Sequence, residues 1–128
     1  MTGGCLCGAV RYEGRGQPYH ITHCHCADCR RSAGGAFVTW CSFPRTDFEF
    51  TQGAPREIEF AGRLRGFCAD CGTTLTFRSS PESEEMDVTV SSLDHPEAVT
   101  PTHHIWVEDR LPWIALADGL PAHARNRS

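Results

Sequence analysis

Along most of this chain apolar residues alternate with polar ones in short runs, and the runs stop at glycine or proline. Val10 and Tyr12 alternate in Ala9–Tyr12, before Glu13-Gly14 and Gly16. Tyr19–His23 is an extended run after Pro18, and Ala36–Phe43 (AFVTWCSF) is rich in the aromatic and β-branched residues that favour strands. Phe48–Thr51 precedes the turn-like Gln52-Gly53-Ala54-Pro55, and Arg56–Phe60 alternates Ile58 with Phe60 before Gly62. Leu64–Phe67, Thr73–Phe77, Met86–Ser91 and His103–Val107 complete the set. Strands at roughly ten-residue spacing, with turn signals between them, predict an all-β sandwich or barrel-like fold. Ala27–Ala33 (ADCRRSA) reads instead as one short helix, stopped by Gly34-Gly35. Pro81–Glu85 reads as a polar loop, and Ala124–Ser128 as a frayed tail.

A length of 128 residues predicts a single domain, 1–128. No apolar run approaches about 18 residues, so no membrane partner is expected. The opening MTGGCLCGAV lacks the basic and apolar regions of a signal peptide. The expected location is therefore cytoplasmic, where thiols stay reduced and clustered cysteines favour metal over disulfides. A disulfide scaffold is the rival reading. Short C-x-C loops strain a bridge, and the chain is too large to need stapling.

The cysteines change the picture most. Seven of the eight fall in three tight clusters: Cys5 and Cys7, then Cys24, Cys26 and Cys29, then Cys68 and Cys71. A C-x-x-C at a tight turn puts two sulfurs on one ion, and Gly72 frees the backbone after Cys71. Cys5 and Cys7, in GGCLCGAV, are the obvious other half of a closed structural zinc site. Cys24, Cys26 and Cys29, in HCHCADCRR, converge on a second zinc if Cys29 starts the helix. The helix start and the cations Arg30 and Arg31 would lower thiol pKa values there. The fourth ligand is His23, His25, water or substrate. Strand alternation turns both imidazoles away from the cysteines, which favours water or substrate. The alternative is a second closed site, of three cysteines and one histidine.

Charge refines the chemistry. All twelve basic residues are arginine, which removes a Schiff-base lysine from the candidates. Adding seven thiolates and two zinc ions to a formal charge of −4 gives −7, which argues against nucleic acid as a partner. Zinc held by three thiolates is a weak Lewis acid, suited to a soft sulfur ligand and poor at making hydroxide. The chemistry therefore leans towards thiols rather than hydrolysis.

GGCLCGAVRY, HCHCADCRRSAGGAF, Gly53 in TQG, GFCADCGTTL and the tail pattern P-x-HHIW…LPW together resemble the glutathione-dependent formaldehyde-activating enzyme family, also called the centromere protein V domain family. The resemblance runs from Gly4 to about Pro121. It implies a β-tent fold, of small antiparallel sheets meeting around zinc. It implies a carbon–sulfur lyase that adds glutathione, or a similar small thiol, to formaldehyde or another small aldehyde, giving an S-hydroxymethyl adduct. By the same resemblance Cys5, Cys7, Cys68 and Cys71 hold the structural zinc, and Cys24, Cys26 and Cys29 the catalytic one. The other reading is a non-catalytic zinc module for protein interaction or metal buffering, and iron in the four-cysteine site is a third.

Arg30 and Arg31 are candidates to grip a carboxylate of the thiol, and His25, His104 and Trp106 candidates to line its pocket. Trp40, Trp106 and Trp113 also read as core aromatics, and Phe37 as packing beneath the helix. Cys41 reads as a buried small hydrophobe. His95, His123 and the acidic run Glu82–Asp87 read as solvated.

Overall fold

The computed structural model describes residues 1–127. The chain forms β1 (Thr2–Gly4), β2 (Arg11–Gly14), β3 (Tyr19–Cys24), α1 (Ala27–Ala33), β4 (Val38–Pro44), β5 (Phe48–Gln52), β6 (Arg56–Phe60), β7 (Arg63–Phe67), β8 (Thr74–Arg78), β9 (Glu85–Thr89) and β10 (His103–Ile105). It is all-β with one α-helix, as the alternation predicts. Two sheets result, a three-stranded one ordered β1-β2-β5 and a seven-stranded one ordered β10-β3-β4-β9-β8-β7-β6. Every pairing is antiparallel except β10 on β3, which is parallel. No helix among the described residues is long and apolar enough to cross a membrane.

The period of two along the strands, interrupted by a bulge at Leu75 of β8, assigns the faces of the large sheet. Cys41 and Phe43 of β4, Met86 and Val88 of β9, and Leu75 of β8 turn towards the small sheet. There they pack with Tyr12 and Val10 in the main core. Trp40 and Val38 of β4 turn to the other face and join Cys24, Cys29 and Ile105 in a second cluster. Tyr12 and Phe43 are fully buried, and the Tyr12 hydroxyl shares a 2.7 Å hydrogen bond with Ser92 Oγ. Cys41 is fully buried as expected, and burial pushes its thiol up to about 12.

Several expectations are corrected. β2 runs on through Glu13 and Gly14 rather than stopping there, because Gly14 lies against Phe43. A Cβ on Gly14 would fall 2.5 Å from the Phe43 ring, so glycine here serves packing rather than a turn. β1 (TGG) carries no apolar signal and is held by pairing with β2. Glu85 lies on β9 rather than in a loop, and Asp87, expected to be solvated, is half-buried on the same strand. Trp113 is 71% exposed and does not join the core. Phe37 packs against the His23 and His25 rings, with centroids 5.1 and 5.2 Å away. Residues 124–127, expected to fray, are tied down. Trp106 N donates to Arg125 O and Glu108 N to Ala124 O, while Arg127 Nε donates to His103 Nε2. Ser128 lies outside the described residues.

Candidate functional site

Two cysteine clusters form where the sheets meet their turns. Cys5 and Cys7 lie in the β1–β2 loop, and Cys68 and Cys71 in the β7–β8 turn. The Cys5–Cys7 and Cys7–Cys68 sulfurs are 3.6 and 3.8 Å apart, and all four sulfurs fall within 4.8 Å of one another. The turn is fixed by Cys68 N on Thr73 O at 3.0 Å and Gly72 N on Cys68 O at 2.8 Å. Gly72, at φ 79°, supplies the left-handed residue that lets the chain reverse after Cys71. Val10 N donates to Cys5 Sγ at 3.2 Å and Leu6 N to Thr73 Oγ1 at 3.0 Å, which locks the two halves together.

The second cluster is built by one continuous segment. Cys24 ends β3, Cys26 caps α1, and Cys29 sits in the first turn of the helix. The Cys26 sulfur accepts from Cys29 N at 3.2 Å, and the Cys29 and Cys24 sulfurs are 3.5 Å apart. Hydrogen bonds to Cys24 and then Cys29 push Cys26 far below the ordinary thiol range, with help from the charge of Arg65. Cys24, bonded to Cys26 and then Cys29, is pushed up.

Both clusters fit a metal ion. Thiolates bound at about 2.3 Å in a tetrahedron lie about 3.8 Å apart, and the observed separations of 3.5 to 3.8 Å cluster at that value. All eight cysteines are free, and disulfide sulfurs would be about 2.05 Å apart. An all-thiol set suits a soft or borderline ion such as zinc.

The three-cysteine cluster opens onto a cavity of about 460 Å³ on the face of the large sheet turned away from the main core. Trp40, Phe77, Ile105 and Trp106 give it apolar walls, and Arg63 and Arg65 line one side. Arg65 lies 4.8 Å over the Phe77 ring and donates from Nη1 to Ser32 Oγ of α1 at 3.0 Å. Neither Arg63 nor Arg65 is among the ion-paired arginines of the described residues, Arg11, Arg15, Arg78 and Arg125. Further along, Ser42 Oγ donates to Asp87 Oδ1 at 2.6 Å. Burial pushes the Asp87 carboxyl up to about 6, against the opposing pull of Ser42.

Of the residues expected around a substrate, Trp106 lines this cavity; Arg30, Arg31, His25 and His104 do not. Arg30 turns back so that Nε donates to His25 O at 3.3 Å, and Arg31 is exposed. Strand alternation sends His23 and His104 to the opposite face from Cys24 and Ile105. His25 is fully buried there, with Nε2 2.9 Å from His104 Nδ1. Burial, and then the neighbouring His104, hold its pKa down at about 4. Neither His23 nor His25 joins the cysteines. His23 instead groups with His104 and Asp118, ligand atoms within 4.8 Å. Arg63, Arg65, Arg78 and Arg127 line the cavity and were missed, although the i, i+2 spacing of the first two in RLRGF puts both on one strand face.

Comparison with known proteins adds to this geometry. The family model described as glutathione-dependent formaldehyde-activating enzyme matches residues 1–109. An uncharacterized lyase of Schizosaccharomyces pombe is 34% identical over 85 residues, covering 59% of this chain and 55% of that protein. The chain thus spans little more than half the length of that relative. A Halomonas elongata protein that carries the name of the same enzyme is 25% identical over 130 residues, covering 91% of this chain and 80% of its own. A crystal structure of a Rhodobacter sphaeroides protein has the same fold, with a TM-score of 0.59 at 23% identity. It covers 96% of this chain and 99% of that one.

Proposed function

The chain belongs to the glutathione-dependent formaldehyde-activating enzyme family, and on that premise we propose that it is a carbon–sulfur lyase joining a small thiol to formaldehyde or another small aldehyde. The observation that carries this reading is the convergence of three thiols at the end of a cavity whose wall also carries Arg63 and Arg65. Cys24, Cys26 and Cys29 would hold a catalytic zinc, and Cys5, Cys7, Cys68 and Cys71 a closed structural one. When bound, zinc on three thiolates supplies a soft electrophilic centre better matched to sulfur than to water.

The chain's own groups do the rest. Arg65, braced between the Phe77 ring and Ser32, lends positive charge to the anionic form of an incoming thiol. Arg63 and Arg65 together offer forks for a carboxylate of that thiol. Trp40, Phe77 and Ile105 give the reacting end apolar walls that limit its water. The thiol sulfur attacks the aldehyde carbon, a carbon–sulfur bond forms as the carbonyl π bond opens, and the proton given up by sulfur ends on oxygen. With His25 turned to the far face, water in the cavity returns that proton. Holding both reactants in one cavity removes much of the entropic barrier to their meeting. The proposed setting is the cytoplasm, where small thiols are reduced.

The test is NMR exchange between formaldehyde and glutathione, or another cellular thiol, with zinc content measured on the same sample. Acceleration that disappears in Cys26→Ser is expected. No acceleration with any thiol at full zinc occupancy would sink the reading for formaldehyde.

A further inference from the structure

On the face of the large sheet opposite the cavity, a chain of side chains leads from solvent to the loop between Cys24 and Cys26. Asp118 is exposed, and its Oδ2 lies 2.8 Å from His104 Nε2. Its Oδ1 accepts from Leu120 N at 3.1 Å, which fixes the carboxylate. His104, 3% exposed, presents Nδ1 to His25 Nε2 at 2.9 Å. The main chain adds a second grip, since His25 N donates to Ile105 O at 3.0 Å.

The acceptor at the solvent end sets the tautomers along the chain. A carboxylate can only accept, so His104 carries a hydrogen on Nε2, and in its neutral form it accepts at Nδ1. His25 must then carry its hydrogen on Nε2, which leaves His25 Nδ1 as a bare lone pair. That atom is buried without a partner. An unpaired buried acceptor costs stability, which an apolar side chain at the same place would avoid. Histidine at position 25 is therefore explained by its Nε2 bond rather than by packing.

We infer that Asp118 and His104 are positioning residues: through His25 they hold the Cys24–Cys26 segment in the shape that brings its two thiols to Cys29. The inference rests on the three-cysteine cluster being the catalytic metal centre. The four-cysteine cluster lies on other elements, so it serves as an internal reference. Groups that orient a metal site from outside its ligands typically change metal affinity by about tenfold to a hundredfold when removed.

The experiment is chelator competition on the zinc-loaded full chain, with melting temperature read in parallel. Asp118→Ala should release the zinc of Cys24, Cys26 and Cys29 about tenfold more readily, with the other zinc and the melting temperature unchanged. Asp118→Asn keeps an acceptor for His104 Nε2 and should restore most of the retention. Unchanged release in Asp118→Ala overturns the inference. So does equal loosening of both zincs with a lower melting temperature, which would mark a general structural role. A third zinc in the native chain, lost in Asp118→Ala, would make His23, His104 and Asp118 a metal site instead. A metal-free arm separates this inference from the reading it rests on: with chelator present, iodoacetamide should alkylate Cys26 several-fold faster in Asp118→Ala, relative to Cys71. If the native cluster binds no zinc, the proposed function falls and this arm still decides the positioning role; equal alkylation rates would end it.

Discussion

Replacing Asp87 by asparagine tests whether the far end of the cavity carries a stored electrostatic cost. Burial lifts this carboxyl from its ordinary 3.8 to about 6, with Glu85 adding to the rise and Ser42 and Arg127 opposing it. For an acid with a raised folded pKa the sign is clear. Between the two pKa values the folded chain binds more protons than the unfolded chain, so stability falls as pH rises through that window. The cost is nearly absent below about pH 4 and fully present above about pH 7. A shift of about two units corresponds to about 3 kcal/mol, and contact with water in the cavity roughly halves it. Asparagine keeps the oxygen that accepts from Ser42 and cannot ionise. Asp87→Asn should therefore be more stable than the native chain at pH 8. Its advantage should shrink by about 0.7 kcal/mol on going to about pH 5, or roughly 2–3 °C in melting temperature. Comparing the two proteins at each pH cancels the pH effects that they share. An advantage that stays constant with pH, or grows towards acid, would refute the reasoning.

Cys26→Ser should lose one zinc per chain and stay folded, whereas Cys68→Ser should leave the chain unfolded, because a closed zinc site contributes about 10–16 kcal/mol to folding in small peptides; metal analysis with circular dichroism reads both. Arg65→Met should raise the KM for a carboxylate-bearing thiol by about tenfold or more, as expected for a charged hydrogen bond of about 1.5–3 kcal/mol, while Arg31→Ala changes it less than about twofold. An equal effect at both positions would remove Arg65 from the substrate. Gly14→Ala should cost about 1–3 kcal/mol in urea denaturation, since the new methyl meets the Phe43 ring at 2.5 Å; a neutral result would mean that β2 shifts freely.

How much of this was legible in the sequence depended on whether the signal was local. The four-plus-three grouping of cysteines was legible because ligand chemistry is carried by residue type, and a C-x-x-C turn closes within a few residues. The helix Ala27–Ala33 was legible at both ends for the same reason. The cavity lining was not. Arg30 and Arg31 adjoin Cys29 in sequence, yet Arg30 turns back onto the His25 carbonyl and Arg31 points to solvent. Arg65 lies 36 residues from Cys29 and is delivered by the pairing of β7 with β8, then anchored on Ser32. Asp87 was hidden inside an acidic run, although the alternation of Met86 and Val88 already places it on the opposite face. Trp113 shows the limit of composition, since a large aromatic with no strand around it stays exposed.

The division between the two faces of the large sheet explains why chemistry and stability coexist in so short a chain. Successive residues on a strand point to opposite sides, so His23 and Cys24 are forced apart even though they are neighbours. The parallel pairing of β10 repeats the division, with His104 beside His23 and Ile105 beside Cys24. One face thus gathers thiols, arginines and apolar walls, while the other carries the packed core and the buried histidines. A slip of one residue in the β3–β4 register would exchange the two sets and destroy the three-cysteine cluster. The pairing is already irregular between Tyr19 and Thr22, where His20 takes a left-handed φ of 50°. The extra residue there brings Thr22 opposite Trp40 and Cys24 opposite Val38. Shortening this bulge by one residue should abolish metal binding at Cys24, Cys26 and Cys29 more surely than any single cysteine substitution. Retained zinc in such a deletion variant would show that the cluster does not depend on the face assignment.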